Sequence, residues 1–330
     1  MTFYIVIALC AFMMSLLGTR IAILAMRTRR SNLGYDNLPP AAQNLLPTSI
    51  QGGGVVLVFA VAICAAVADI HFGILLPFFM LASLALIQKL IPLPWLLQMV
   101  IQMFAISIPL SSMPEPTFGG IFPAWLDILI VSAAWMWFIN MLSGMDDMDG
   151  FATSALVCIS TGICIVTVLF GAFPSTMASY SLIIAAAASG FLWWSWPPAK
   201  ISLGKVGSVP LAFLLGYILL LAVRAGYGYA VLIMCAYYLS DSLLAWGRRT
   251  WRSMPLALVH NDHYYQQARA NGRSNAFIVR SVFGINILLA FLSTQTVIEP
   301  EMAPFYTVIA YLAVFMLLGY FTTRKKLESH

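Results

Sequence analysis

The stretch Asn140-Met-Leu-Ser-Gly-Met-Asp146-Asp147-Met-Asp149-Gly150 decides how this chain is read. Three of the twelve acidic residues fall within four positions, although charged residues make up only 9% of the sequence. Apolar runs flank the stretch on both sides. Its carboxylates therefore belong at a membrane surface or at the mouth of a cavity, where ionised groups are costly unless water, a cation or a substrate meets them. Such a cluster handles a divalent cation or a proton, and Asp and Asn oxygens suit a hard ion such as Mg²⁺, bound together with substrate phosphates. The plain alternative is a helix-capping turn, which needs one Asp and not three.

Working outward, 61% of the residues are hydrophobic and the mean hydropathy is +0.90, which excludes an ordinary soluble globule. The expected fold is all-α, a polytopic membrane protein of about ten to eleven transmembrane helices. The spans run from Phe3–Met26 to Pro304–Tyr320, with the eighth at Val209–Val223 and the ninth at Ala230–Leu244. They are taken as one integral membrane domain, residues 1–330, with a long cytoplasmic loop at about 245–281. That loop is too long to be a mere connection. No basic region precedes the first apolar run, so the N-terminus reads as a retained helix. All five cysteines lie in apolar runs without metal-ligand spacing and read as small buried hydrophobes.

Placing the N-terminus outside gathers fifteen of the seventeen basic residues on one side, which the positive-inside rule makes cytoplasmic. The net charge of +5 then reflects topology, and no nucleic acid partner is expected. The acidic stretch, the Lys200–Ser208 segment and the 245–281 loop all fall on that cytoplasmic side. Glycines and Ser208 ahead of an apolar helix suggest backbone N–H groups free for a phosphate, with Lys205 adding a charge. His260 and His263 in His260-Asn-Asp-His263-Tyr264-Tyr265 are spaced for hydrogen bonding or proton transfer near neutral pH, and lack a third ligand for zinc.

Together these segments resemble the polyprenyl-phosphate N-acetylhexosamine-1-phosphate transferases, relatives of the peptidoglycan translocase. Pro47-Thr48 with Gly52-Gly53-Gly54 is similar to that family's entry to its second helix. Asn140…Asp146-Asp147-Met148-Asp149-Gly150 is similar to its Asn-x-x-Asn-x-x-Asp-Gly-x-Asp-Gly signature. Pro197-Pro198-Ala199-Lys200-Ile201 with Gly204–Ser208 resembles its Pro-Ala-Lys-Ile-Phe-x-Gly-Asp-x-Gly-Ser segment, and His260…His263-Tyr264-Tyr265-Gln266 its histidine motif.

The resemblance implies a phosphoglycosyl transferase of the bacterial inner membrane. It would move a HexNAc-1-phosphate from a UDP-N-acetylhexosamine to undecaprenyl phosphate with Mg²⁺ and initiate a lipid-linked surface polysaccharide. By this resemblance Asp146, Asp149, His260 and His263 are catalytic. Asp146, Asp147 and Asp149 hold the metal, and Asn140, Gly204, Lys205, Gly207, Ser208 and Arg249 bind substrate. The lipid bilayer and a homodimer partner complete the implied set. Departures from the pattern are as specific. Gln88 and Lys89 stand where an Asp pair is expected, Lys205 replaces the Asp of Gly-Asp-x-Gly-Ser, and Ser143, Asp147, Ser195 and Gln51 replace Asn, Gly, Asn and Arg. Three readings stay open: an active transferase with a rearranged metal site, an inactive homologue that keeps a binding or assembly role, and a secondary transporter.

Overall fold

Long apolar runs with few charges can satisfy their backbone in a bilayer only as helices, and helices make up nearly all of the structured chain. The computed structural model describes residues 2–32, 50–68, 72–113, 115–169, 176–251 and 263–323. The chain divides into two compact units, Met1–Arg224 and Ala225–His330.

The first unit contains α1 (Thr2–Asn32), α2 (Gly54–Val67), α3 (Phe72–Leu90), α4 (Trp95–Ser111), α5 (Ala124–Gly144), α6 (Phe151–Leu169), α7 (Thr176–Ser195) and α8 (Lys205–Arg224). A two-stranded parallel pair, β1 (Ile50–Gln51) on β2 (Ile201–Ser202), is in register at Ile50↔Ile201 and Gln51↔Ser202. The pair continues as Gly53 N–H donating to Ser202 O (3.1 Å) and Gly54 N–H to Leu203 O (2.9 Å), which ties the start of α2 to the start of α8.

Glycine is required at this junction. A Cβ on Gly54 would lie 2.4 Å from the backbone nitrogen of Gly207, and one on Gly207 would lie 2.6 Å from the Cα of Gly54. Gly207→Ala is expected to lower the stability of the detergent-solubilised protein by about 2–3 kcal/mol, because backbone cannot move aside as a side chain can. A melting temperature equal to that of the unaltered protein would contradict so close an approach.

The end of α5, the starts of α2, α6 and α8 and the end of α7 gather at one end of this unit, around the acidic stretch. Trp135 on α5 crosses to α8, donating its indole N–H to Phe213 O (3.0 Å) and stacking on the Phe213 ring at 5.0 Å. Trp194 on α7 donates to Leu16 O on α1 (3.0 Å), and Gly190 of α7 faces Phe12 O, so α1 and α7 run parallel. Arg27 and Arg29 therefore lie at the acidic end with Lys89, Lys200 and Lys205. Arg224, Glu115 and Asp127 lie at the other. Asp127 is buried there by accepting from the N–H groups of Thr117 and Phe118, both at 3.0 Å, and is a structural group.

The second unit contains α9 (Gly228–Met234), α10 (Ala236–Trp251), α11 (Tyr264–Ala270), α12 (Asn275–Ile298) and α13 (Ala303–Thr322). Asn271 donates to Phe321 O and Thr322 O, both at 3.1 Å, and Arg273 to Tyr320 O at 3.2 Å. These bonds satisfy carbonyls at the end of α13 that have no helical donor. Inside the unit Asn286 donates to the Tyr238 hydroxyl at 2.7 Å.

Among the described residues, eight helices are long and apolar enough to cross a membrane, or nine if α9 and α10 form one span. The helices α2 and α4 are apolar but only 14 and 17 residues long. Ten or eleven full crossings are thus not reached by length and composition, because a crossing takes about 20 residues. The expected ninth span, Ala230–Leu244, breaks at Cys235 with a 66° bend. The expected loop 245–281 is partly helical: α10 continues to Trp251, where Arg248 and Arg249 in its last turn complement the helix dipole, and α11 and the first turns of α12 occupy its second half. The helix expected to start at Val209 starts at Lys205 instead, since Gly204 O already accepts from the N–H groups of Gly207 and Ser208.

Candidate active site

Asp146, Asp147, Asp149 and Gly150 line a cavity of about 180 Å³ with Met148, Thr153, Ser202 and Leu203. The turn between α5 and α6 therefore closes on the segment between α7 and α8, as the two motifs require if they serve one chemistry. One contact across it is specific: the Ala199 N–H donates to Asp149 Oδ2 at 3.2 Å. Gly204 has φ +70°, a left-handed conformation that suits glycine.

Burial pushes the Asp146 carboxyl up to about 7, with the nearby Gly204 backbone opposing the rise and the negative charge of Asp147 adding to it. An unfolded Asp titrates near about 4. Between those values the folded chain holds a proton that the unfolded chain has released, so stability declines as the pH rises through this window. In the metal-free protein the thermal midpoint is expected to fall between about pH 4 and about pH 7, the limits of that window, and Asp146→Asn to flatten the fall. An unchanged slope in the variant would assign the dependence to another group.

The remaining predicted groups divide. Lys205 is exposed at the start of α8. Gly207 and Ser208 are buried; their N–H groups donate to Gly204 O, both at 2.9 Å, and the Ser208 hydroxyl donates to Ser143 Oγ at 3.2 Å. The expectation that these N–H groups are free for a phosphate is corrected: they form the first turn of α8, and Gly207 is there for the close approach to α2. Asn140 pairs with Gln102 of α4, its Nδ2 donating to Gln102 Oε1 at 2.8 Å and also to Met136 O at 2.8 Å. It is not among the cavity's lining residues.

In the second unit His263 caps α11. Its Nδ1 lies 3.0 Å from Asp241 Oδ2, and the Tyr264 N–H donates to Asp241 Oδ1 at 2.6 Å. A carboxylate accepts, so Nδ1 carries the hydrogen and Nε2 is left for chemistry. Asp241 is fully buried in α10, and the His263 ring stacks on Tyr265 at 5.4 Å. Arg248 lies over the Tyr264 ring at 4.0 Å, and Arg249 shares the last turn of α10. Sequence reasoning missed Asp241. The available signal was an isolated acid in the otherwise uncharged run Ala236–Trp246. His260, Arg252 and Pro47-Thr48 lie outside the described residues.

Carboxylate oxygens suit Mg²⁺ chemically, but among the described residues no three His, Cys, Asp or Glu groups converge on one metal position. Asp149 is committed to Ala199 through one oxygen. The neighbours Asp146 and Asp147 both line the cavity and are the carboxylates that would hold the ion there, with substrate phosphates supplying further ligands.

Residues 71–223 match the family model of glycosyl transferase family 4. The chain is similar to the phospho-N-acetylmuramoyl-pentapeptide-transferase of Desulforapulum autotrophicum, with 26% identity over 216 residues, 58% of this chain and 55% of that protein. It is similar to proteins of the same name from Phenylobacterium zucineum, 25% identical over 187 residues (51% and 47%), and Dichelobacter nodosus, 31% identical over 137 residues (36% and 38%). The chain spans about half the length of the curated relatives it matches, or less. The matched segment contains the acidic cavity; Asp241 and His263 lie beyond it.

Proposed function

The chain is related to glycosyl transferase family 4, and from that premise we propose that it is a phosphoglycosyl transferase acting on a polyprenyl phosphate. The donor is a UDP-N-acetylhexosamine and the acceptor undecaprenyl phosphate, giving a lipid-linked diphosphate sugar and UMP. The observation that carries the reading is the closure of Asp146, Asp147 and Asp149 onto the backbone of residues 199–204, within the family-matched segment.

In phosphoryl transfer, positioning and charge neutralisation carry most of the catalysis. Asp146 and Asp147 would hold Mg²⁺, which supplies neutralisation of the diphosphate. Asp149 holds the Ala199 backbone and so the shape of the cavity wall. Exposed Lys205 offers a point charge to a phosphate. His263, with Nδ1 held by Asp241, presents Nε2 to hydrogen-bond a diphosphate oxygen or carry a proton. Arg27, Arg29, Lys89, Lys200 and Lys205 share the acidic end of the first unit, and we assign that end to the cytoplasmic face of the inner membrane, with the N-terminus outside.

One observation favours a second reading, a homologue that binds lipid or nucleotide without turnover. Lys89 and Lys205 are both exposed at the end where the resemblance expects carboxylates, and the Lys89 ammonium lies against Gly52, 3.7 Å from where a Cβ would be. Transfer of radiolabelled sugar phosphate from UDP-GlcNAc to undecaprenyl phosphate by the purified protein separates the two. Turnover by the unaltered chain, rising with added Mg²⁺, supports the transferase. Turnover that emerges only after Lys205→Asp with Gln88→Asp and Lys89→Asp supports the second reading.

A further inference from the structure

At the end of the first unit opposite the acidic stretch lies a larger cavity, about 620 Å³, with no part in the proposed reaction. Its walls are mostly apolar and include Ile74, Ile108, Pro109 and Leu221, with Tyr217 and Arg224 among its polar groups. The volume falls within the range of small-molecule pockets. Arg224 ends α8, so its charge complements the helix C-terminus, and that alone could account for a basic residue there. The depth of the side chain is not accounted for in this way. It is 19% exposed, and its guanidinium meets Glu115 Oε2 only at 3.8 Å, while Glu115 is 86% exposed. Among the described residues this largely buried cation has only so loose an ion-pair partner, and further anionic oxygens in the cavity would compensate it.

We propose that this cavity binds a phospholipid with a primary-ammonium headgroup, its phosphate on Arg224, its ammonium on Glu115 and an acyl chain along Ile74, Ile108 and Leu221. The order of the charges is the argument. The cation is deep and the carboxylate is at the rim, which matches a headgroup whose phosphate is buried and whose ammonium is outermost. Of the helices that line the cavity, α3, α7 and α8 are long and apolar enough to cross a membrane, so their ends lie at headgroup depth, where Arg contacts lipid phosphate. A purely anionic lipid would satisfy Arg224 but set Glu115 against it. A quaternary ammonium would lack the N–H donors that Glu115 can accept.

The test is native mass spectrometry of the full chain released from nanodiscs containing equal parts of phosphatidylethanolamine, phosphatidylglycerol and phosphatidylcholine. The unaltered protein is expected to retain phosphatidylethanolamine at least about threefold over either of the others, the scale of one exposed ion pair. Glu115→Gln, at an exposed position, is expected to erase that preference while retaining lipid. Arg224→Gln is expected to lose retention of all three, and Arg224→Lys to recover part of it. Leu221→Trp fills the cavity without touching either charge and is expected to lose retention too, which keeps the proposal testable if Arg224→Gln does not fold. Equal retention of the three lipids by the unaltered protein, a preference for phosphatidylglycerol, or a preference that survives Glu115→Gln would overturn it.

Discussion

Asp241→Asn is expected to lower sugar-phosphate transfer about a hundredfold, the usual scale for losing a group that orients a functional histidine. The carboxylate accepts from two donors at once, His263 Nδ1–H and the Tyr264 N–H. An amide has one accepting oxygen, so in a fully buried place either one donor goes unpaired, at a cost of about 1–3 kcal/mol, or the imidazole turns to the tautomer with its hydrogen on Nε2. Asp241 acts through His263 and is a positioning residue, which sets a distinguishing readout. Asp241→Asn should shift the pH profile of turnover, because the histidine loses its carboxylate, whereas a merely structural loss would lower the amplitude at every pH. His263→Ala should abolish transfer with the fold retained, since its side chain is partly exposed at a helix cap. Wild-type turnover in His263→Ala would remove this unit's histidine from the reaction.

Asp146→Asn is expected to reduce transfer about a thousandfold while leaving the protein folded, because an amide keeps the shape of the carboxyl group but cannot carry its charge toward a cation. Asp149→Ala should behave differently. It strips the acceptor from the Ala199 N–H, costs stability by about 1–2 kcal/mol and lowers transfer by about tenfold through the displaced loop. The pair separates a charge role from a scaffolding role within one four-residue stretch. Thermal unfolding measured beside transfer decides it: equal loss of stability in both variants, or equal loss of turnover, would merge the two roles into one.

Much of the site was legible because it rests on local composition. An ionised trio between apolar runs stands out in a chain with few charges, and the Gly204–Ser208 segment signals a helix start through its glycines and Ser208. What those glycines do was not legible. Gly207 looks like a phosphate-binding residue in isolation, and only the structure, in which a Cβ on it would fall 2.6 Å from Gly54 Cα, reveals a packing constraint between segments about 150 residues apart in sequence. Asn140 reads as a substrate group from the sequence, which carries no sign of its hydrogen bond to Gln102.

By itself the sequence determined that this is a helical membrane protein, roughly where most of its apolar helices lie, and that its acidic stretch is exceptional. Each of these follows from hydropathy and from the high cost of unpaired backbone or charge in an apolar medium, which act on a few neighbouring residues at a time. Tertiary structure alone decided which polar group each acid meets: Asp149 with Ala199, Asp241 with His263, Arg224 with Glu115. Those pairings depend on which helix faces are brought together across long stretches of chain. The periodicity of one helix carries no record of its partner.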